Sequence, residues 1–255
     1  MIPSPDSPIL FSVGSFSLRF YSLCILLAVL IAQYIFVKRA KKRNIEDDHI
    51  YNIVIYGLLF GLLGARIFHV LYEYQYYFNN LSDIVKIWEG GLAIHGGLLF
   101  GTISTYIYAK VNKLSFFTLS DILIPGILLA QIIGRFGNYF NQEAFGTPTK
   151  LPWGIYIKEA YRPAEFINSL SFHPTFIYEG LWNALILGII LFIEKRFKVK
   201  TGFILGIYLI GYGIGRSLVE IIRTDATYLG PLKFVHWLSI ILVLLGTILV
   251  LKRRK

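Results

Sequence analysis

Arginine, histidine and glutamate side chains interrupt stretches otherwise built of Leu, Ile, Val, Phe and Gly. Tyr212, Arg216, Glu220 and Arg223 are spaced i, i+4, i+8 and i+11, which is one face of a helix. Arg135 and Asn138, at i and i+3, share a face of another. Two arginines from different helices, with one carboxylate nearby, make a cationic site the size of a phosphate. The planar guanidinium fork binds two oxygens at once and keeps its charge. The same residues also fit an internal salt-bridge network, such as Arg216 with Glu220. Arg66, His95 and Glu179 stand in equally apolar surroundings. A central arginine costs at least about 2.5 kcal/mol on the membrane-insertion scale, so each such residue is a functional hypothesis. Other positions carry plainer readings. Arg19 reaches toward the interface, Glu179 is equally readable as a structural partner for an arginine, and His69 and His236 are packed or interfacial. Cys24, within YSLCILLAVL, is buried and inert. The His, Asp and Glu residues show no metal-ligand spacing, so no metal or cofactor is expected.

The elements that must position these groups follow from hydropathy. Of 255 residues, 55% are hydrophobic and 16% charged, whereas soluble domains carry about 25% charged residues. A span needs about 20 apolar residues, and seven such stretches are legible: 17–37, 49–72, 90–110, 119–140, 175–193, 203–222 and 233–251. Without water in the bilayer core they must be helices. The net charge of +10 would suggest nucleic acid in a soluble protein, but here it marks topology. Segments 38–44, 110–113, 194–200 and 252–255 hold fifteen Lys or Arg, against six on the opposite side. The positive-inside rule then puts the N-terminus outside and the C-terminus in the cytoplasm. Tyr72, Tyr74, Tyr76, Tyr77, Phe78 and Trp88 would belt the outer interface. The costly residues all fall in the outer half except Asp121, which would complement the dipole at the cytoplasmic start of its own helix. Small residues four apart (Gly57 and Gly61, Gly97 and Gly101, Gly202 and Gly206, Gly211 and Gly215) suit close helix packing. Residues 142–174 would rest on the outside as a cap, too short to hold a conventional core of its own. The expectation is an all-α polytopic membrane protein of seven transmembrane helices, one integral membrane domain over 1–255, capped between helices 4 and 5. The N-terminal stretch MIPSPDSPILF lacks the basic segment of a cleavable signal peptide.

Four stretches carry a resemblance: GGLAIHGGLLFG at 90–101, GRFGNYFNQEAFG at 134–146, HPTFIYE at 173–179 and RSLVEIIRTD at 216–225. With FSLRFYSL at 16–23 and GARIFHVL at 64–71, they resemble the prolipoprotein diacylglyceryl transferases of bacteria, in order along nearly the whole chain. The second stretch matches the family signature. The resemblance implies transfer of the diacylglyceryl group of phosphatidylglycerol to the lipobox cysteine of a prolipoprotein signal peptide. A thioether forms and glycerol phosphate leaves, in the first step of lipoprotein maturation. Carried over by residue, the essential histidine falls on His95. The signature arginine, asparagine, glutamate and glycine fall on Arg135, Asn138, Glu143 and Gly146, with Asn141 in the same motif. The late tyrosine, arginine and glutamate fall on Tyr212, Arg216 and Glu220. His95, Arg135, Arg216, Glu143 and Tyr212 are the expected catalytic residues; Arg66, Asn138, Asn141, Gly146, Glu220 and Arg223 are expected to bind substrate. The chain departs from some members at Thr175-Phe176 and Thr224-Asp225.

The implied reaction is substitution at carbon, with sulfur attacking a glycerol CH₂ as a phosphate ester departs. Arg135 and Arg216 would hold the phosphate and stabilise its growing charge. His95 is the candidate base for the thiol, with Glu143 or the departing phosphate as alternative proton acceptors. The implied partners are phosphatidylglycerol, prolipoprotein signal peptides and the bilayer. The basic loops lack the aromatic interleaving of a nucleic-acid surface. The implied place is the bacterial cytoplasmic (inner) membrane, with the site facing the outer leaflet. A transporter or flippase for an anionic lipid or solute would use the same buried arginines without chemistry. The absence of an internal repeat and the one-sided charge cluster argue against it.

Overall fold

The computed structural model describes residues 1–14, 16–224 and 228–253. Eight α-helices dominate these: α1 (Phe20–Lys41), α2 (Asp47–Tyr72), α3 (Tyr74–Asn79), α4 (Ile94–Val111), α5 (Phe116–Asn141), α6 (Thr175–Arg196), α7 (Phe203–Glu220) and α8 (Phe234–Arg253). Six of them, α1, α2, α5, α6, α7 and α8, are long and apolar enough to cross a membrane. Their outward faces are apolar: Leu26, Leu30, Leu59, Leu63, Ile241 and Leu244 are all exposed. Contiguous apolar surface on this scale is tolerable only in lipid. The chain is thus a polytopic helical membrane protein. α4, of 18 residues, is not among the six; His95, Lys110 and several Gly, Ser, Thr and Tyr residues interrupt its hydrocarbon.

The chain divides into two compact units, residues Met1–Ile35 with Ser120–Lys255, and residues Phe36–Leu119. In the second unit α2 lies against α4. The expected glycine rows meet there: a Cβ on Gly61 would sit 3.4 Å from the Gly97 carbonyl oxygen, and one on Gly101 the same distance from that of Gly57. The tightest approach is one pair further out. A Cβ on Gly64 would lie 2.6 Å from the Gly96 oxygen, so the backbones can touch only because both residues lack side chains. α4 also starts later than hydropathy predicts. Gly90 and Gly91 have φ of +94° and +72°, outside helical geometry, so the chain turns before Ile94. His95 therefore stands in the first turn of α4, rather than several residues inside a span that starts at 90.

In the first unit, α5, α6 and α7 share a core of Ile124, Leu128, Ile186, Ile190, Phe203 and Ile204. Gly206 and Gly213 admit α8, with Cβ positions 2.9 Å from the carbonyl oxygens of Gly246 and Ser239. Asp121 serves a neighbouring helix. It is 2% exposed, and its carboxylate accepts from Gly202 N at 2.7 Å and Leu205 N at 3.0 Å. It caps the N-terminus of α7, where the unpaired amides and the dipole both attract an anion.

Three short antiparallel hairpins depart from the all-α expectation. β1 (Ile9–Val13) pairs with β2 (Phe16–Arg19), β3 (Ile155–Tyr156) with β4 (Ser171–Phe172), and β5 (Tyr228–Leu229) with β6 (Leu232–Lys233). Arg19 thus ends a strand, and α1 begins after it. The cap packs a small apolar cluster onto the helices: Phe145, Ile155, Ile157 and Phe172 join Phe176 from the first turn of α6, with Tyr139 of α5 against them. The N-terminal residues extend it, since Tyr156 N donates to Ile2 O at 2.9 Å and Lys158 Nζ to Asp6 O at 2.7 Å.

Candidate active site

In the first unit the buried charges converge on one carboxylate, that of Glu179, 7% exposed in the second turn of α6. Its Oε1 receives Arg216 Nη1 at 3.1 Å and Arg223 Nη1 at 3.3 Å. Its Oε2 is paired with Arg135 Nη2. Arg216 also binds Glu220 at 2.5 Å along its own helix, so the helical spacing of α7 does bring those two together. Arg223, three residues past the end of α7, is held near by the chain itself: Gly146 and Arg223 form an antiparallel bridge, and Thr147 N donates to Ile222 O at 2.8 Å. A Cβ on Gly146 would lie 2.6 Å from that same Ile222 oxygen, so the signature glycine is what lets the cap loop reach this strand.

The end of α5 supplies a second, polar layer. Arg135 Nη1 donates to Asn138 Oδ1 at 3.4 Å, and Asn138 Nδ2 donates to Glu143 Oε1 at 3.0 Å. Asn141 Nδ2 reaches the same oxygen at 3.1 Å. Glu143 is thereby aimed by two amides and tied through Asn138 to Arg135. His173 and Thr175 brace this loop: Gly146 N donates to His173 O at 2.8 Å and Thr175 Oγ1 to Ala144 O at 2.6 Å. Tyr212 lines a cavity of about 10 Å³ with Glu179, Trp182, Asn183, Gly215 and Arg216, room for roughly one water. A phosphate does not fit there.

In the second unit, Arg66 has a different environment. Its Nε donates to Ile84 O at 2.8 Å and its Nη1 to Gly90 O at 2.7 Å and Gly91 O at 2.9 Å. Nη2 donates to Asp83 O. The guanidinium also lies 5.2 Å from the centre of the Tyr77 ring. Four of the five N–H donors of an arginine are thus committed to backbone carbonyls. That leaves little for the substrate contact expected of this residue. Asp83 keeps its carboxylate for others. A hydrogen bond from Lys86 at 2.6 Å, then one from Tyr76 at 2.7 Å, hold that carboxyl below its usual range.

A family model described as prolipoprotein diacylglyceryl transferase matches residues 8–252 of this chain. The chain belongs to that family. It is 42% identical over 245 residues to the phosphatidylglycerol–prolipoprotein diacylglyceryl transferase of Synechocystis sp., covering 94% of this chain and 87% of that one. Identity to the protein of the same name from Thermotoga maritima is 39% over 239 residues, covering 93% and 81%. For that of Prochlorococcus marinus it is 43% over 249 residues, covering 91% and 84%.

Within this family member, the arginine-rich cluster gathers Arg135, Arg216, Arg223 and Glu220, and the signature loop gathers Asn138, Asn141 and Glu143. Glu179 is the residue that the expected site omits, and it joins the cluster. A signal for it was present: a carboxylate one turn inside an apolar span demands a cation, and the spans facing it offered only arginines. Asp225 lies outside the described residues.

Proposed function

We propose that this chain transfers the diacylglyceryl group of phosphatidylglycerol to the lipobox cysteine of prolipoproteins. The observation that supports this reading most is the charge balance around Glu179. Three guanidinium groups and the Lys233 ammonium, which donates to Glu220 O at 2.5 Å, face the carboxylates of Glu179, Glu220 and, one amide away, Glu143, an excess of one positive charge. A phosphodiester monoanion would neutralise it. The cysteine sulfur attacks the glycerol CH₂ that bears the ester oxygen. A C–S bond forms, the C–O bond breaks, and the electron pair leaves with glycerol phosphate. Arg135 and Arg216 stabilise the charge arriving on the phosphate. Arg135 is the most open of the three cations, its side chain 25% exposed against 17% for Arg216 and 11% for Arg223. Phosphate therefore docks on its outer edge. Asn138, Asn141, Gly146, Tyr212, Glu220 and Arg223 hold that arrangement. His95 takes the thiol proton, with Glu143 as the competing acceptor.

The test is to incubate purified protein with phosphatidylglycerol vesicles and a lipobox peptide. The expected result is a peptide whose cysteine gains the mass of one diacylglyceryl group. Lipid scrambling with no covalent product would instead establish a transporter. Because the substrate brings its own thiol, one displacement suffices and Cys24 takes no part. Cys24→Ala is expected to keep nearly full turnover, and a lipid adduct on the enzyme would require a two-step mechanism.

The proposed topology is one integral membrane domain with seven spans, N-terminus outside and C-terminus in the cytoplasm. α4 is the seventh span: 18 residues rise about 27 Å, close to the roughly 30 Å hydrocarbon core. The site then faces the outer leaflet of a bacterial cytoplasmic membrane. In a Cys24→Ala background, Lys150→Cys at an exposed cap position should react with a membrane-impermeant maleimide on intact cells. Reaction only after lysis would overturn both the orientation and the leaflet.

A further inference from the structure

The segment that leads into α4 crosses from residue 83 to Ile94 through two short 3-10 turns, Leu81–Val85 and Ile87–Glu89, and the two positive-φ glycines. Such a segment has little regular hydrogen bonding of its own. What converges on it is Arg66, 7% exposed, whose guanidinium gathers the carbonyls of Asp83, Ile84, Gly90 and Gly91. These lie at the two ends of the segment. One planar fork therefore closes it into a loop, and a second tie holds its exit, since Ala93 N donates to Ala65 O at 3.0 Å. His95 follows two residues later, in the first turn of α4.

We infer that Arg66 is a positioning residue for His95. It fixes the loop that sets where α4 starts and hence where the imidazole stands. It does so without touching the lipid phosphate. The guanidinium suits this task because its donors fan out in one plane toward several acceptors. A lysine has three donors on one atom and cannot reach carbonyls on both ends of the loop. Gly91 belongs to the same device. A Cβ there would meet Arg66 Nη1 at 2.6 Å, on a backbone at φ +72°, so only glycine lets the loop close against the arginine.

The inference rests on the proton-accepting role proposed for His95, and the experiment separates the two. Transfer to a lipobox peptide is measured for wild type, Arg66→Lys, His95→Asn and the double variant. Arg66→Lys is expected to lower kcat about 10²-fold, the scale of a small misplacement of a reacting group, with KM for phosphatidylglycerol unchanged. The double variant should be no slower than His95→Asn alone, since residues that act as a unit are not additive. Additive losses, or a raised KM with kcat intact, would overturn the inference. Gly91→Ala, which keeps the arginine, should give the same pattern and serves if Arg66→Lys does not accumulate. A readout without variants is phenylglyoxal modification of the wild-type protein. Arg66 should stay unmodified with or without phosphatidylglycerol vesicles; modification that the lipid suppresses would mark it as a phosphate ligand. Wild-type protein that forms no lipidated peptide would remove the proposed reaction, and the phenylglyoxal result would still stand as a measure of the clamp.

Discussion

Glu179→Gln is expected to lower transfer by about 10² or more and to lower the unfolding temperature in detergent. The amide keeps the shape of the carboxylate but loses its charge, and it turns an N–H toward an arginine that also donates. Removing one partner of a buried ion pair costs about 3–5 kcal/mol, because the remaining charge is left uncompensated. Here a single change takes one carboxylate away from three cations, Arg135, Arg216 and Arg223. Glu220 remains for Arg216, so that arginine keeps one anchor, while Arg135 keeps only the weak contact to Asn138 at 3.4 Å among its charged or amide partners named above. The loss should fall on kcat as well as on stability, since each 1.36 kcal/mol of transition-state stabilisation is about tenfold in rate. Glu179→Asp keeps the charge on a shorter arm and should lie between wild type and Gln. Wild-type kcat and KM in Glu179→Gln would show that the cluster is only structural packing.

His95→Asn is expected to cut the rate by about 10²–10⁴, the usual contribution of a general base. Asparagine preserves a polar group at the start of α4 and removes the basic nitrogen. The loss should shrink as pH rises toward the ordinary pKa of a cysteine thiol, about 8.5, because the substrate then ionises unaided. Binding of phosphatidylglycerol should be unchanged, which separates this variant from Glu179→Gln. A loss that stays constant across that pH range would mean that His95 orients the peptide and that the proton goes elsewhere, Glu143 being the amide-aimed acceptor in the signature loop.

Much of this was legible in the chain itself. Hydropathy located six helices within a few residues of their ends, because lipid solvation acts on each span locally and needs about 20 apolar residues whatever surrounds it. The α7 periodicity placed Arg216 beside Glu220, since a contact at i and i+4 depends only on the helix. The glycine rows pointed to close helix packing, and Gly57, Gly61, Gly97 and Gly101 do meet between α2 and α4. The hairpin strands were not legible, for a run such as ILFSV at 9–13 reads as apolar and gives no hint of its partner.

The sequence by itself determined the class of protein and the residues whose burial would be costly. It did so through quantities that run along one chain: hydropathy, helical period and a signature motif. Only the tertiary structure decided which charges from different helices meet. Glu179 became the hub of three arginines because α5, α6 and the exit of α7 bring them to one point. Asp121, on α5, caps α7. Arg66, expected to face substrate, was taken up by four carbonyls of its own loop. The physical reason is the same in each case. Burial tells a charge that it must find a partner, but the partner is set by the register between helices, and no single helix encodes that.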